Sequence, residues 1–436
     1  MVEFGTPYWW ETGSDLPNFK EIPSEECELL VIGGGMTGLS ASITAARLNR
    51  KVVCVDAGRI GQGASTRNGG MCGAHARVSF NALQNSFGEK VAREIIDESP
   101  KAFDYFKTLL IDEQIDCDFQ QTGRVQLANT IKQAEKQKKG AEILINKSSV
   151  YNPEILEANE IKEHIVTNQY FGGLFYKDHG ALNPRKFHDE LVRVSLKLGV
   201  EIIEGCNVKS YKNIEGKFVV KTNKGIIKSD KIILATNGYT KKPFSWLSKR
   251  VFPIPSFMIA TEVLDKSLIK RIAPGRRMMV ETGSKHCYYR ISPDGSRILF
   301  GGRAGMIPLG PKLAAKRLKK FMVTIWPELH NVSITHSWQG NTGFSFEQIP
   351  HVGKHKGLHF AVGYSGSGVV MAPYLGMKCA YQVYDDPRGE TVFSSTGLTT
   401  RKYHIFQKPY FLLFAEIWYR QIVDRWQARQ TKKDLK

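Results

Sequence analysis

The sequence predicts an α/β protein in which a largely parallel sheet is joined to a second, mainly antiparallel sheet. Three observations predict it. A chain of 436 residues exceeds the usual size of one hydrophobic core. Near residue 30, an apolar strand, a glycine-rich turn, an apolar helix and a second strand follow one another. Ile254–Glu262 and Cys287–Gly302 have strand composition, the latter as a hairpin turned at Pro293-Asp294-Gly295.

The turn after the predicted strand Glu28–Ile32 carries the first chemical signal. This strand runs directly into Gly33–Gly38, which has the form G-x-G-x-x-G and opens an apolar helix. Gly33 permits the tight turn, Gly35 lets the backbone approach a pyrophosphate, and Gly38 allows the helix to pack closely on the strand. The helix N-terminus adds unpaired N–H groups for the phosphates. The segment therefore predicts a Rossmann-type dinucleotide site.

The second predicted strand, Lys51–Val55, ends at an acidic residue. Asp56 lies eighteen residues after Gly38, where its carboxylate would accept hydrogen bonds from the ribose hydroxyls of a dinucleotide. A negative charge at this position also repels a 2′-phosphate. NADP is therefore disfavoured as the ligand.

The segment Gly58–Gly73 favours FAD among the dinucleotides. It continues from Asp56 as a glycine-rich loop and not as another helix. Such a loop can bring many backbone N–H groups onto a long ligand, although a surface Ω-loop would have a similar composition. A further strand, Leu358–Val362, leads through a glycine-rich turn into a helix beginning near Val369. The N-terminus of that helix would stabilise negative charge on a reduced flavin.

Several stretches of the chain match a known family. They are Tyr8-Trp9-Trp10, VIGGGMTGLSAS, DAGRIGQGASTRNGG, CDFQQTGRVQLA, YYRISPDGSRILFGGR, WQGNTGFSFEQIPHVG and GYSGSGVVMAPYLG. With them the chain resembles the D-amino-acid oxidase-like family of FAD-dependent oxidoreductases, and within it the γ-glutamylputrescine oxidases. The resemblance spans residues 8 to about 385. It implies a discontinuous, Rossmann-like FAD-binding domain and a substrate domain built on a mainly antiparallel sheet.

The glycine motif and the resemblance together predict the residues that contact FAD. In chain order they are Gly33, Gly35, Met36, Thr37, Gly38, Asp56, Ala57, Gly63, Ala64, Ser65, Arg67, Asn68, Gly69, Gly70, Val208, Ala235, Thr236, Asn237, Gly366, Ser367, Gly368 and Val369. Some relatives attach the flavin through a cysteine in the stretch that matches Trp338–Phe346, where this chain has none. Noncovalent FAD is therefore predicted.

The predicted FAD-contacting segments recur along the chain, which makes the cofactor domain discontinuous. We predict an FAD-binding domain from residues 24–84, 151–243 and 345–400, a substrate domain from residues 85–150 and 244–344, and a basic amphipathic C-terminal helix within 401–436. Asn81–Leu110 has helical apolar periodicity.

The predicted hairpin Cys287–Gly302 and the arginine that follows it supply most of the candidates for substrate contact. Tyr289 and Arg303 are predicted to be catalytic, because the resemblance implies an aromatic hydroxyl and an arginine that hold a substrate carboxylate. Tyr288, Arg290 and His75 are predicted to bind substrate. The alternation of a strand places Tyr288 and Arg290 on one face and Tyr289 on the other. The competing interpretation makes these arginines surface charges and the tyrosines core aromatics.

Three functions follow from these motifs. The first is an oxidase of the C–N bond in a small amine or amino acid, such as a γ-glutamylated amine like γ-glutamylputrescine, giving an imine that hydrolyses while O2 becomes H2O2. The second is an amine or amino-acid dehydrogenase at the membrane that passes electrons to a quinone. The third is an RNA-modifying flavoprotein, since the net charge is +19. The basic residues show no RNA-binding motif, so no nucleic-acid partner is expected.

The remaining predictions concern location and metals. The seven cysteines are odd in number, form no C-x-x-C pair and predict neither disulfides nor a metal site. The N-terminus has no secretory signal pattern and no apolar run reaches about 20 residues, so a cytoplasmic protein is predicted. Within 405–430, aromatic residues beside arginines indicate either peripheral contact with the inner face of a membrane or a helix packed on its own protein.

Overall fold

The computed structural model describes residues 3–73, 76–148, 152–404 and 409–435. Its strands are β1 Glu3–Phe4, β2 Glu26–Ile32, β3 Val52–Val55, β4 Met71–Cys72, β5 Arg124–Leu127, β6 Glu154–Leu156, β7 Gly173–Tyr176, β8 Gly180–Ala181, β9 Glu201–Ile203, β10 Val208–Ile214, β11 Lys217–Thr222, β12 Gly225–Leu234, β13 Val251–Thr261, β14 Met278–Glu281, β15 Tyr288–Ile291, β16 Ile298–Gly302, β17 Ile334–Ser345, β18 His351–His355 and β19 Leu358–Val362. Its α-helices are α1 Met36–Arg47, α2 Phe80–Phe87, α3 Glu89–Asp112, α4 Ile131–Lys147, α5 Pro184–Lys197, α6 Ser245–Ser248, α7 Lys266–Ile272, α8 Pro311–Ile325, α9 Gly368–Val383, α10 Phe411–Trp418 and α11 Asp424–Asp434.

The first sheet has a parallel centre in the order β19-β12-β2-β3-β9. The hairpin of β10 and β11 pairs antiparallel with the first half of β12, and β18 pairs antiparallel with β19. Alternate residues of β2 enter two cores. Leu29 and Val31 pack with α1, α5 and α9, whereas Leu30 and Ile32 pack with the layer of β10–β12. Burial on both faces explains why β2 and β3 are almost wholly apolar.

Helices α1 and α9 pack against each other at close range. The hydroxyl of Ser40 in α1 donates to the backbone carbonyl of Pro373 in α9 at 2.7 Å. A Cβ at Gly376 would overlap the carbonyl oxygen of Thr37. Both helices begin directly after a parallel strand of the first sheet, α1 after β2 and α9 after β19. Their N-termini therefore lie at the carboxyl edge of that sheet.

The second sheet has nine strands in the order β1-β17-β13-β16-β15-β14-β5-β7-β6. Two of its strand pairs, β1 with β17 and β14 with β5, are parallel and the others are antiparallel. One face carries Phe257, Ile259 and Phe300 into a core shared with α8. The other face buries Met258 and Trp338 against the N-terminal segment. The predicted fold class, a Rossmann-like sheet joined to a mainly antiparallel one, is confirmed.

The structure shifts some predicted boundaries. The helix predicted over Asn81–Leu110 is two helices, α2 and α3, separated at Gly88 with φ of +84°. The C-terminal segment consists of α10, a π-helical stretch at Tyr419–Val423 and α11 without interruption. Among the helices of the described residues, none is long and apolar enough to cross a bilayer.

Replacing Gly38 by Ala is expected to destabilise the fold by about 3 kcal/mol, because the new Cβ would overlap the carbonyl oxygen of Gly33. Gly140→Ala is the matched control, since Gly140 lies inside α4 with no atom near the added methyl group. That control should stabilise the protein by about 0.5–1 kcal/mol. Thermal unfolding of both purified variants checks the pair. Equal melting temperatures would contradict the close approach at Gly38.

Candidate active site

The carboxyl edge of the parallel strands brings most of the predicted cofactor residues together. The turn Gly33–Gly38 follows β2, Asp56 and Ala57 follow β3, Ala235–Asn237 follow β12, and Gly366–Val369 form the start of α9 after β19. Ligands of open α/β sheets bind in the crevice outside this edge. Two helix N-termini also point toward it, which places partial positive charge where a bound anion would lie.

Asp56 is fixed by backbone amides at the strand end. Its Oδ2 accepts from the N–H of Gly34 at 2.9 Å, and its Oδ1 accepts from the N–H of Gly58 at 2.9 Å. Burial raises the pKa of Asp56, while the two N–H groups act in the opposite direction. The segment that leads to Val208 runs beside it, because the N–H of Cys206 donates to the backbone carbonyl of Asp56. Asp56 and Val208 therefore frame one end of the crevice.

The loop Ala64–Gly70 lies directly over the N-terminus of α1. Ser65 Oγ accepts from the N–H of Met36 at 3.0 Å, and a Cβ at Gly35 would lie 2.8 Å from the same oxygen. Thr37 and Gly38 belong to the first turn of the helix, where backbone N–H groups have no intrahelical acceptor. The glycines thus form a cradle whose remaining amide donors suit a phosphate group.

The carboxamide of Asn68 gives the loop its shape. Its Nδ2 donates to the carbonyl oxygens of Ala64 and Ser65 at 3.0 and 2.9 Å, and its Oδ1 accepts from the N–H of Gly70 at 2.8 Å. Gly70 has a φ of +65°, and a Cβ there would overlap the carbonyl oxygen of Leu182. A side chain at this position would therefore displace the loop.

Three tryptophans hold the loop from outside. Trp9 Nε1 donates to the carbonyl of Asn68 at 2.8 Å, and Trp338 Nε1 donates to the carbonyl of Arg67 at 2.9 Å. The guanidinium of Arg67 lies 4.6 Å from the ring of Trp10, whose Nε1 in turn donates to the loop hydroxyl of Thr66. The loop is thus clamped by the N-terminal segment and by β17 of the second sheet.

The turn between β19 and α9 is built from left-handed backbone. Gly363, Ser365 and Gly366 have φ of +80°, +50° and +108°. The side chain of Asn237, at the end of β12, accepts from the N–H of Gly363 at 2.9 Å. This bond joins the turn to the neighbouring strand end, so that the start of α9 is held at the carboxyl edge.

Tyr288 and Arg290 lie on the face of β15 that meets the loop. The hydroxyl of Tyr288 is 2.8 Å from Ser256 Oγ, and burial raises its pKa to about 12. A Cβ at Gly69 would lie 3.2 Å from the Tyr288 ring. Arg290 is buried and donates to the carbonyl of Leu182 at 2.8 Å, while burial lowers its pKa to about 10. Arg290 therefore supports the loop from below.

The structure does not bring Tyr289 and Arg303 to this edge. Tyr289 lies on the opposite face of β15, stacked on Phe300 at 5.2 Å with its hydroxyl 2.7 Å from that of Tyr170. Arg303 forms an ion pair with Asp424 of α11 at 2.5 Å. Strand alternation thus directs Tyr289 into the core beneath α8. His75 falls outside the described residues.

Two groups that the sequence did not single out lie here: Arg77, beside the turn at Gly366, and His286, within range of its charge. The guanidinium of Arg77 lies 5.1 Å from the ring centre of Phe344, and a Cβ at Gly366 would lie 3.3 Å from Arg77 Nη1. Burial alone lowers the pKa of Arg77, with no carboxylate of the described residues acting on it. His286 is near enough for the charge of Arg77 to add to a burial effect that brings the histidine pKa to about 4.

Arg77 and His286 are both accessible to solvent, yet desolvation shifts the pKa of each. We infer from these two properties that the side chains line a concave part of the surface, here called the Arg77 cleft. Because His286 is neutral at pH 7, the positive charge here comes from arginines: Arg77, with Arg124 and Arg303 also acting on His286. In the sequence, only the position of Arg77, seven residues after Gly70, could have indicated that it lies near the cofactor loop. No neighbouring motif pointed to His286.

Comparison with known proteins decides the family. The model of the family described as "DAO: FAD dependent oxidoreductase" matches residues 28–382. The chain belongs to this family. The chain is 29% identical to the oxidoreductase OrdL of Rhizobium meliloti (strain 1021), covering 84% of this chain and 86% of the relative. It is 27% identical to the γ-glutamylputrescine oxidoreductase of Escherichia coli (strain K12), covering 91% and 92% of the two chains.

Solved structures show the same fold. Glycine oxidase from Geobacillus kaustophilus superposes with a TM-score of 0.73 at 17% identity, covering 87% of this chain and all of that chain. The L-proline dehydrogenase from P. horikoshii has a TM-score of 0.65 at 20% identity and covers 90% of this chain. These structures share the fold, and the family match makes the chain an FAD-dependent oxidoreductase of the DAO family.

The residues at the carboxyl edge fit FAD. The cradle of Gly33, Gly35 and Gly38 leaves no room for side chains, and Asp56 retains acceptor capacity beyond its two amide bonds. When bound, FAD supplies the two-electron acceptor for oxidation of a C–N bond. The assignment of individual contacts stays a prediction, as does noncovalent attachment. In the described residues, no three His, Cys, Asp or Glu side chains gather as a metal site would require.

The pH dependence of flavin reduction by an amine is expected to be independent of His286 and Tyr288 between about pH 6 and pH 9. His286 becomes charged only below about pH 4, and Tyr288 ionises only near about pH 12. The midpoint should therefore belong to the substrate amine, whose nitrogen must be deprotonated. Anaerobic stopped-flow reduction of His286→Gln and Tyr288→Phe across this range checks it. A midpoint that disappears in either variant would contradict these protonation states.

Proposed function

We propose that this DAO-family protein oxidises a carboxylate-bearing amine at its C–N bond and uses O2 as the electron acceptor. The observation that carries the proposal is Arg77, a cation without a carboxylate partner among the described residues, in a cleft beside the start of α9. Arginine suits a carboxylate because its guanidinium can donate two parallel hydrogen bonds. Phe344 supplies an apolar wall for the carbon chain of the substrate.

The overall reaction balances without further reagents. An amine of the form R–CH2–NH2 loses two electrons and two protons to become an imine, and O2 takes both to become H2O2. Water then hydrolyses the imine to a carbonyl compound and ammonia. The residues of this chain would bind the carboxylate at Arg77 and exclude water with Phe344 and Tyr288. Neutral His286 would add no positive charge to the cleft.

The similarity to γ-glutamylputrescine oxidoreductase supports a γ-glutamylated amine as the substrate. Such a molecule carries its carboxylate far from the amine that is oxidised, whereas an α-amino acid carries both on one carbon. Putrescine has the amine but no carboxylate. It therefore tests whether the enzyme requires a carboxylate in addition to an amine. We therefore infer the order γ-glutamylputrescine, then α-amino acids, then putrescine for the rate of flavin reduction.

Arg77→Met is expected to lower kcat/KM for a carboxylate-bearing amine about 100-fold, because the substrate carboxylate loses its charged partner in a desolvated cleft. Arg303→Met removes the same charge at the contact with α11 and should change kcat/KM less than about threefold. Steady-state kinetics on γ-glutamylputrescine and glycine measure both variants. If kcat/KM fell strongly in Arg303→Met and stayed unchanged in Arg77→Met, the carboxylate contact would belong to Arg303, and the proposed role of Arg77 would be wrong.

A membrane quinone is the second candidate for the electron acceptor, and the outward-facing apolar residues of the C-terminal segment favour it. After anaerobic reduction by substrate, the oxidase predicts complete reoxidation by dissolved O2 within seconds and stoichiometric H2O2. The dehydrogenase predicts slow reoxidation by air and fast reoxidation by a soluble quinone. Double-mixing stopped-flow with each acceptor distinguishes them. Arg77→Met, reduced chemically, serves as the control because reoxidation bypasses its binding defect.

A further inference from the structure

The helical segment Phe411–Asp434, here called the C-terminal helix, docks on the protein with its polar side inward. Asp424 accepts from Arg303 at 2.5 Å and from the hydroxyl of Ser284 at 2.6 Å. Glu416 accepts from the N–H of Met306 at 2.6 Å. A surface helix of a globular protein normally turns its apolar stripe to the core. From Phe414 onward this helix has the opposite arrangement, whereas in its first turn Leu412 is buried and Phe411 packs against Phe252.

Further contacts along the helix repeat the pattern. Gln427 Oε1 accepts from the N–H of Ser284 at 2.6 Å, the hydroxyl of Thr431 donates to the carbonyl of Asn129 at 3.0 Å, and Asp434 accepts from the N–H of Ile131 at 3.0 Å. These bonds fix the rotation of the helix about its axis. The side that faces solvent is therefore set by the fold itself.

The outer side is apolar and aromatic. Phe414 is 76% exposed, Ile417 64%, Trp418 56%, Ile422 50% and Trp426 56%. Four of the five are spaced by four residues, so they form one stripe along the axis. A contiguous exposed apolar patch on a folded protein marks a site of contact with a partner or a membrane.

The charges of the C-terminal helix are sorted between its two sides. Its acidic residues all accept hydrogen bonds from the body of the protein: Glu416, Asp424 and Asp434. Its basic residues are exposed: Arg420, Arg425, Arg429, Lys432 and Lys433. The outer surface therefore combines apolar side chains with an excess of positive charge, in which Arg420 also pairs with Glu416 at 4.0 Å.

We propose that the C-terminal helix is a peripheral membrane anchor whose outer side lies in an anionic lipid surface. Aromatic and aliphatic side chains rimmed by arginine and lysine are the composition of interfacial helices. A second copy of the same surface would bring like charges together, which disfavours self-association. Aliphatic Ile417 and Ile422 cannot stack on bases, which disfavours RNA. The proposal holds for either electron acceptor.

The hydrogen bonds between the C-terminal helix and the body of the protein hold the helix in its binding conformation before it meets a membrane. An interfacial peptide usually folds as it enters the lipid and loses conformational entropy in doing so. Here the helix is already formed on the protein, so binding should require no change in helicity. The membrane plane would lie along the outer side of the helix, with the body of the enzyme on the opposite side.

Co-sedimentation of the full-length flavin-loaded protein with vesicles tests the anchor. At about 0.1 M salt, vesicles of equal phosphatidylcholine and phosphatidylglycerol should bind the protein at least tenfold more strongly than pure phosphatidylcholine. Ile417→Glu/Trp418→Glu should reduce that binding at least tenfold. Ile111→Glu, at a 76% exposed position of α3, is the matched control and should bind like the unchanged protein. Flavin absorbance and melting temperature confirm that both variants are folded.

The triple variant Arg420→Gln/Arg425→Gln/Arg429→Gln measures how much of the vesicle binding comes from attraction between arginine and anionic lipid. This variant should lose most of the preference for phosphatidylglycerol and most of the salt dependence. No binding of the unchanged protein to anionic vesicles would overturn the proposal, as would equal binding to neutral vesicles or an equal loss in Ile111→Glu. A dimer or an RNA complex that Ile417→Glu/Trp418→Glu disrupts, without vesicle binding, would assign the surface to that partner and overturn it as well.

Discussion

The whole nucleotide site depends on how closely the backbone can approach itself where β2 becomes α1. The carbonyl oxygen of Gly33 occupies the space that a Cβ of residue 38 would take. That approach sets α1 directly on the strand, which brings its first amides to the carboxyl edge of the sheet. A second close approach lies on the other side of α1, where the absence of a side chain at Gly376 lets α9 pack against Thr37. Two helix N-termini reach one crevice only because these positions carry no side chain.

The loop Ala64–Gly70 connects the two sheets at the site, because it contacts α1 on one side and the second sheet on the other. It covers the start of α1 through Ser65, and it is held from the second sheet by Trp338 and Arg290. Arg290 is a buried cation that donates to backbone carbonyls of the loop region and to no carboxylate of the described residues. Burial of such a cation is offset in part by the backbone carbonyls that accept from its Nε and Nη1 groups. These bonds show that Arg290 supports the loop, and its predicted contact with substrate stays a prediction.

Local pattern was sufficient for the nucleotide half of the fold. β2 and β3 lie within two residues of their predicted bounds, and α1 begins inside the predicted glycine turn, since hydrophobic periodicity and glycine turns act over short distances. The surroundings of Arg77 could not be found this way, because Arg77 meets Phe344 and Gly366 from distant parts of the chain. The alternation of side chains along a strand correctly placed Tyr288 and Tyr289 on opposite faces of β15. It could not predict which of these faces meets the loop Ala64–Gly70. That choice depends on where α8 packs.

Ser284 links the C-terminal helix to the segment that carries His286, at the place proposed for substrate. Its backbone N–H and hydroxyl are both bonded to α11, and it lies two residues before His286. A shift of α11 relative to the second sheet would therefore move the segment that carries His286. Where two binding events share such an element, thermodynamics makes their coupling reciprocal. On the proposed membrane contact, any factor by which a lipid surface changes the affinity for the amine would equal the factor by which the bound amine changes the affinity for the lipid. The fraction of enzyme at the membrane would then measure substrate supply.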